Sequence, residues 1–212
     1  MLRFENLCKR YGERTIFQGL RYSAGSGCVA LSDESGSGKS TLLGILSSEI
    51  DPDEGQVWID EHSLHNASLE VKSLLAYVPE DCMPYSPQTG RAYLEHVASN
   101  RKTAIDSRTL DLAERFGLTP HIEKRFEQMS FGTRKKIFLT AAALGDVKVL
   151  IADEPAAGLD APARAVLIDL FKTMGADRTV LFSSYDLDFT QACCAKMISF
   201  AELGVGGLSP PH

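Results

Sequence analysis

One run constrains this chain more than any other: Glu34-Ser35-Gly36-Ser37-Gly38-Lys39-Ser40-Thr41, set between the apolar stretch Val29-Ala30-Leu31 and a helical run from Leu42 to Leu46. A strand, a glycine-rich loop and a helix in that order form the arrangement in which a backbone curls until its N–H groups face phosphate oxygens. The helix N-terminus adds partial positive charge. In such a loop Lys39 reaches the β- and γ-phosphates, and the Ser40 hydroxyl ligates Mg²⁺. Positions 35 to 41 (Ser35, Gly36, Ser37, Gly38, Lys39, Ser40 and Thr41) are therefore the candidate phosphate-binding residues. A flexible Gly/Ser linker is the plainer reading, but linkers seldom place GKST between a buried strand and an amphipathic helix.

The rest of the chain supplies a fold for such a loop. At 212 residues it can bury a real core, as one large domain or as a domain carrying a smaller insertion. Residues 1 to 27 read as short antiparallel strands around the turn signals Tyr11-Gly12 and Gly25-Ser26-Gly27. A buried strand is expected over 28–32, a helix over 39–48, and a further strand over 55–60 in the same antiparallel group. An apolar strand over 74–78 stops at Pro79, and Pro79, Pro84 and Pro87 mark a loop. Helical spacing holds from Thr89 to about Leu144. Strands follow over 147–152, 178–183 and 196–200, with helices over 161–174 and 186–195. The sum is an α/β core with an antiparallel β edge over 1–79 and 146–203, interrupted by a helical subdomain over about 80–145. A mobile tail is expected over 204–212.

Composition narrows the function classes. A net charge of −6 argues against sequence-independent nucleic-acid binding. Arg134-Lys135-Lys136 is the one tight basic cluster, and a solvated helix turn accounts for it. No apolar run approaches the roughly 18 residues of a membrane span, and the N-terminus lacks the apolar segment of a signal peptide. Five cysteines without C-x-x-C spacing fit reduced, cytosolic thiols.

A phosphate loop alone leaves metal and water without protein partners. The stretch Val149-Leu150-Ile151-Ala152-Asp153-Glu154-Pro155 supplies both, because an apolar strand carries two acids to its C-terminal end, where ligands gather in open parallel sheets. Asp153 is placed to hold Mg²⁺ directly or through water, and Glu154 to orient or deprotonate an attacking water.

Here the sequence resembles the ATP-binding cassette (ABC) ATPases. Asp153-Glu154-Pro155 followed by Ala157-Gly158-Leu159-Asp160 is similar to their second acidic motif and aspartate loop. Met129-Ser130-Phe131-Gly132-Thr133 resembles their signature, usually LSGGQ, and Tyr77-Val78-Pro79-Glu80 the lead-in to their glutamine loop. Tyr11 stands where such proteins place an aromatic against adenine. The match runs in order from about residue 2 to 200.

The resemblance implies a P-loop NTPase fold and Mg²⁺-dependent hydrolysis of ATP. It also implies pairing of two cassettes head to tail, identical or not, with Ser130 and the Gly132 N–H acting in trans on the γ-phosphate. A separately encoded membrane-spanning transporter subunit would be driven through the loop near Glu80 to Gln88. That places the protein in the cytoplasm, peripheral on the cytoplasmic face of the membrane, with no nucleic-acid partner.

Several departures fall on the γ-phosphate and metal side. Asp33 replaces the first loop glycine, and its charge about 7 Å from a phosphate, at an effective dielectric near 20, costs roughly 2 kcal/mol. On that ground Asp33→Gly is expected to strengthen ATP binding. Glu80 occupies the glutamine position, which contacts metal and attacking water. Tyr185 stands at the switch histidine, where a phenol can donate a hydrogen bond to phosphate but carries no positive charge. Phe131 replaces the first signature glycine and would crowd the dimer interface. The implied activity is ATP hydrolysis coupled to transport, slow or conditional, with Glu154, Lys39, Glu80 and Tyr185 as the catalytic set. The alternative is a nucleotide-binding regulatory subunit with little turnover.

Overall fold

A computed structural model describes residues 1–65, 67–84 and 87–204. The tail expected over 204–212 lies, from residue 205 onward, outside the described residues. The chain opens with β1 (Leu2–Tyr11) and β2 (Arg14–Ala24), then β3 (Gly27–Leu31), α1 (Lys39–Leu46), β4 (Glu54–Ile59), β5 (His62–Ser63), α2 (Leu69–Ser73) and β6 (Leu75–Val78). Helices α3 (Gly90–Asn100) and α4 (Ser107–Arg115), a 3₁₀ turn at Phe126–Gln128 and α5 (Phe131–Ala142) come next. The chain then alternates through β7 (Val149–Ala152), α6 (Ala161–Gly175), β8 (Thr179–Ser183), α7 (Leu187–Ala192), β9 (Lys196–Ile198) and α8 (Phe200–Gly204).

Two sheets result. The antiparallel one has the order β2-β1-β4-β5, and the parallel one β6-β7-β8-β3-β9. Successive strand side chains alternate between faces, and the parallel strands carry apolar residues on both. Val29, Leu31, Val149, Ile151 and Leu181 face a core shared with Leu2, Phe4 and Leu7 of β1, Val57 and Ile59 of β4, and Leu42, Leu43, Ile45 and Leu46 of α1. Helix α1 is thus packed between the two sheets, which explains why it is apolar nearly all round. The alternate residues Ala30, Leu150, Ala152, Val180 and Phe182 face the second core, built with Leu94, Phe126, Phe138 and Phe171 from the other side.

The expected α/β core, antiparallel edge and helical stretch are all present. The first two strands are longer than the turn signals suggest, because three register shifts let one hairpin bend without ending. The expected last strand, 196–200, stops at Ile198. Phe200 instead begins α8, since Ser199 caps it by donating its N–H and hydroxyl to Glu202.

Candidate functional site

Strand order places the chemistry. The glycine-rich loop leaves β3 and the acidic pair leaves β7, while β8 lies between them and pairs with both. The C-terminal end of β8 therefore sits between loop and acids, and its residues link the two.

The loop turns through left-handed glycines, Gly36 at φ +77° and Gly38 at φ +104°. At Gly38 a Cβ would lie 2.5 Å from Ile16 Cγ2, so the position excludes a side chain by contact as well as by backbone angle. Lys39 is 5% exposed, and its ammonium donates to the carbonyls of Asp33 at 2.5 Å and Glu34 at 2.9 Å and to the Tyr185 hydroxyl at 3.0 Å. It also lies 4.2 Å from the Tyr185 ring centroid. Ser35, Gly36 and Ser40 are exposed, Thr41 is half-buried, and the buried Ser37 hydroxyl has no partner.

The acids are tied together through a residue that the sequence reading did not single out. The Ser183 hydroxyl donates to Asp153 Oδ1 at 2.5 Å and accepts the Glu154 N–H at 2.9 Å. Asp153 is 3% exposed. Glu154 adopts φ +44°, a left-handed conformation that costs a non-glycine residue roughly 1 kcal/mol or more. Burial, then the Asp153 charge, pushes its carboxyl above the ordinary carboxylate range. A hydrogen bond from the Tyr185 backbone and the Lys39 charge oppose this, and Glu80 reinforces it. Glu154 Oε1 is buried without a partner. Thus Ser183 ties Asp153 to Glu154, Lys39 meets Tyr185, and the charges of Lys39 and Glu80 both act on Glu154.

Other expected residues lie apart from it. Tyr11 ends β1 at the hairpin turn, half-exposed, with Lys9 Nζ 5.3 Å from its ring centroid. Ser130 caps α5 by accepting the Thr133 N–H, and with Gly132 it borders an open pocket shared with Lys136, Gly158 and Asp160 but with no residue of the 33–41 loop. A Cβ at Gly132 would lie 2.4 Å from Gly158 O, so the α5 N-terminus and the loop after β7 touch by way of this glycine. Phe131 is half-buried, and its ring would contact a Cβ built on Gly158 at 2.5 Å.

Two expectations need correction. Asp33 does not stand free toward a phosphate: its Oδ2 accepts the Phe200 N–H at 2.9 Å, satisfying one of the orphan donors that open α8. The basic run is not a solvated turn. Lys135 is fully buried, Lys136 pairs with Asp160 at 3.0 Å, and Arg134 Nη1 donates to Met129 O at 3.1 Å.

The donor set suits Mg²⁺. Ser40 and Asp153 are hard oxygen donors, the orphaned Glu154 Oε1 is an acceptor awaiting a proton donor, and Mg²⁺ usually takes one or two carboxylates with phosphates and water. Among the described residues no group of three or more His, Cys, Asp or Glu is arranged to hold a metal by itself.

The family model described as "ABC transporter" matches residues 22–157. The linearmycin resistance ATP-binding protein LnrL of Bacillus subtilis is 26% identical over 208 residues, covering 93% of this chain and 65% of that one. An ABC transporter ATP-binding/permease protein of Mycobacterium tuberculosis is 31% identical over 191 residues, covering 86% of this chain and 22% of the relative. The chain thus spans less than two thirds of either relative. A solved ATP-binding subunit of an ABC transporter superposes with a TM-score of 0.84 at 22% identity, covering 94% of this chain and 85% of the other. The cassette MJ0796, solved as a dimer bound to ADP and Pi, gives 0.80 at 19% identity, covering 94% of each. At these identities the structural likeness establishes the fold.

Proposed function

The chain belongs to the ABC transporter family, and from that membership we propose that it is an ATP-binding, ATP-hydrolysing cassette that powers a separately encoded membrane transporter. The observation that carries this reading is the convergence of Lys39 and Tyr185 with Asp153 and Glu154 at adjoining strand ends. On this reading the chain is one cassette, with 80–145 as its helical subdomain.

Lys39 exchanges two loop carbonyls for terminal phosphate oxygens, a charge-assisted gain over neutral acceptors. Ser40 and Asp153, with Glu80 nearby, hold Mg²⁺, which neutralises phosphate charge when bound. Glu154, kept basic by desolvation, orients and deprotonates the attacking water. Tyr185 turns its hydroxyl from Lys39 to the γ-phosphate. Tyr11 lies against the adenine, and positions 35 to 41 wrap the phosphates. In a head-to-tail pair, Ser130 and Gly132 of one copy close the site of the other, with the α5 N-terminus aimed at the phosphate.

Among the described residues no helix is long and apolar enough to cross a membrane, so on this reading a membrane-spanning partner supplies the path, with the cassette at its cytoplasmic face. An open groove of about 740 Å³ between Tyr77, Pro79, Met83, Gln88, Tyr93 and Phe138 adjoins the loop near Glu80 and supports docking there. Phosphate release by the purified chain, compared with Glu154→Gln, tests the proposal. Turnover lost in the variant, together with ATP-dependent dimers accumulating in light scattering, supports it. Monomers alone with ATP and Mg²⁺ contradict the composite site.

A further inference from the structure

Lys135 is a fully buried cation to which the chemistry above gives no task. Removing an ammonium from water is costly, and a methionine or leucine would fill the same volume without that cost. Its surroundings suggest why the charge is kept. Nζ donates to the Glu154 carbonyl at 3.0 Å and lies 4.8 Å from the Phe131 ring centroid. Glu80, Asp153 and Glu154 all place negative charge around it. The aromatic at 131 gives the cation a face to rest on. That ring in turn packs against Gly158.

The bond is made at the one residue of the site whose backbone is strained. Glu154, at φ +44°, is flanked by two rigid peptides. The peptide before it is fixed by its N–H to Ser183 Oγ at 2.9 Å. The carbonyl after it is fixed by Lys135 and by the Ala157 N–H at 3.1 Å. Anchoring both peptides sets φ and ψ at once, and so sets the direction in which the side chain leaves the backbone and the rotamers from which its carboxylate can reach the site.

We infer that Lys135 is a positioning residue for Glu154: it clamps the carbonyl side of that residue and, through Phe131, ties the α5 N-terminus to the carboxylate on which hydrolysis depends. Ser130 and Gly132 begin the same helix, so a shift of that end reaches the Glu154 carbonyl directly through the Lys135 side chain. The inference rests on the hydrolytic reading above.

The test uses the full chain with Lys135→Met, Lys135→Gln and Phe131→Leu, measuring ATP Kd by titration, kcat, KM and a denaturation midpoint. Lys135→Met should lower kcat about 10- to 100-fold, as small misplacements of catalytic groups do, with Kd and KM within about twofold. Gln restores a donor but not the apolar fit. It should be the less stable of the two yet turn over about fivefold faster than Met, because the hydrogen bond and not the packing orients the carboxylate. Phe131→Leu should slow wild type several-fold and leave Lys135→Met unchanged, since the two act through one contact. Wild-type kcat in Lys135→Met overturns the inference, as does a kcat order that simply follows stability. If Lys135→Met fails to fold, unaltered kcat in Phe131→Leu overturns it instead. No turnover in wild type, with Glu154→Gln indistinguishable from it, removes the hydrolytic reading and this inference with it.

Discussion

Replacing Ser183 by alanine removes one oxygen and strands two groups. The hydroxyl donates to Asp153 Oδ1 at 2.5 Å and accepts the Glu154 N–H at 2.9 Å, and Ser183 and Asp153 are 0% and 3% exposed. Water cannot easily take the place of the lost partner at such a position. A buried group left without its hydrogen bond costs about 1–3 kcal/mol, so the pair should lose about 2–6 kcal/mol of stability. For a chain of this size that corresponds to a fall in Tm on the order of 10 °C. Activity should fall further than stability alone explains, because the same oxygen fixes the peptide that precedes Glu154. Urea denaturation followed by circular dichroism reads the first effect, and phosphate release at a temperature where the variant is folded reads the second. Ser183→Cys, a weak donor of similar size, should fall between. A stability change within 0.5 kcal/mol together with unaltered kcat would refute the bridging role.

Asp33→Asn keeps an acceptor for the Phe200 N–H while removing the charge, so it should leave stability unchanged and tighten ATP binding by no more than about threefold, because the carboxylate is already engaged away from the loop. A thirtyfold gain, the size of the 2 kcal/mol repulsion expected from a free carboxylate at 7 Å, would restore that simpler picture. Asp33→Gly removes the helix-end partner and should cost about 0.5–2 kcal/mol in a denaturation experiment. Gly38→Ala forces a side chain into φ +104° and against Ile16; about 1–2 kcal/mol should be lost from the backbone alone, with ATP binding weakened in a direct titration. Asp106, Asp160 and Asp186 each cap a helix, and backbone hydrogen bonds from Thr109, Ala163 and Phe189 hold their carboxyls below the ordinary range. Their stabilisation is present above the unfolded-state aspartate value of about 3.9 and disappears as pH falls through the lower folded values. Replacing all three by Asn should flatten the acid side of a stability–pH curve, and an unchanged curve would contradict the caps.

The glycine-rich loop after β3 and the two acids after β7 could be placed from the sequence because each is a short contiguous run next to an apolar strand. The parallel strands were legible for a related reason: burial on both faces writes an unbroken apolar run such as Val149 to Ala152. What could not be read depends on contacts between distant segments. Asp33 meets a backbone N–H 167 residues away, and nothing near Asp33 announces it. Ser183 matters because β8 is inserted between β3 and β7, an order that the chain sequence does not reveal. Lys135 misled because three adjacent cations look solvated, yet a signal was there. Phe131, Lys135, Phe138, Leu139 and Ala142 share one helical face, so the middle cation falls on the apolar stripe.

Titration calorimetry of the wild-type chain and Lys39→Ala with ATP and Mg²⁺ tests the central claim most directly. Saturable one-to-one binding to wild type, with affinity lost at least 100-fold in the variant, is the predicted result. Equal affinity in the two proteins, or heat for neither at millimolar nucleotide, would contradict the account.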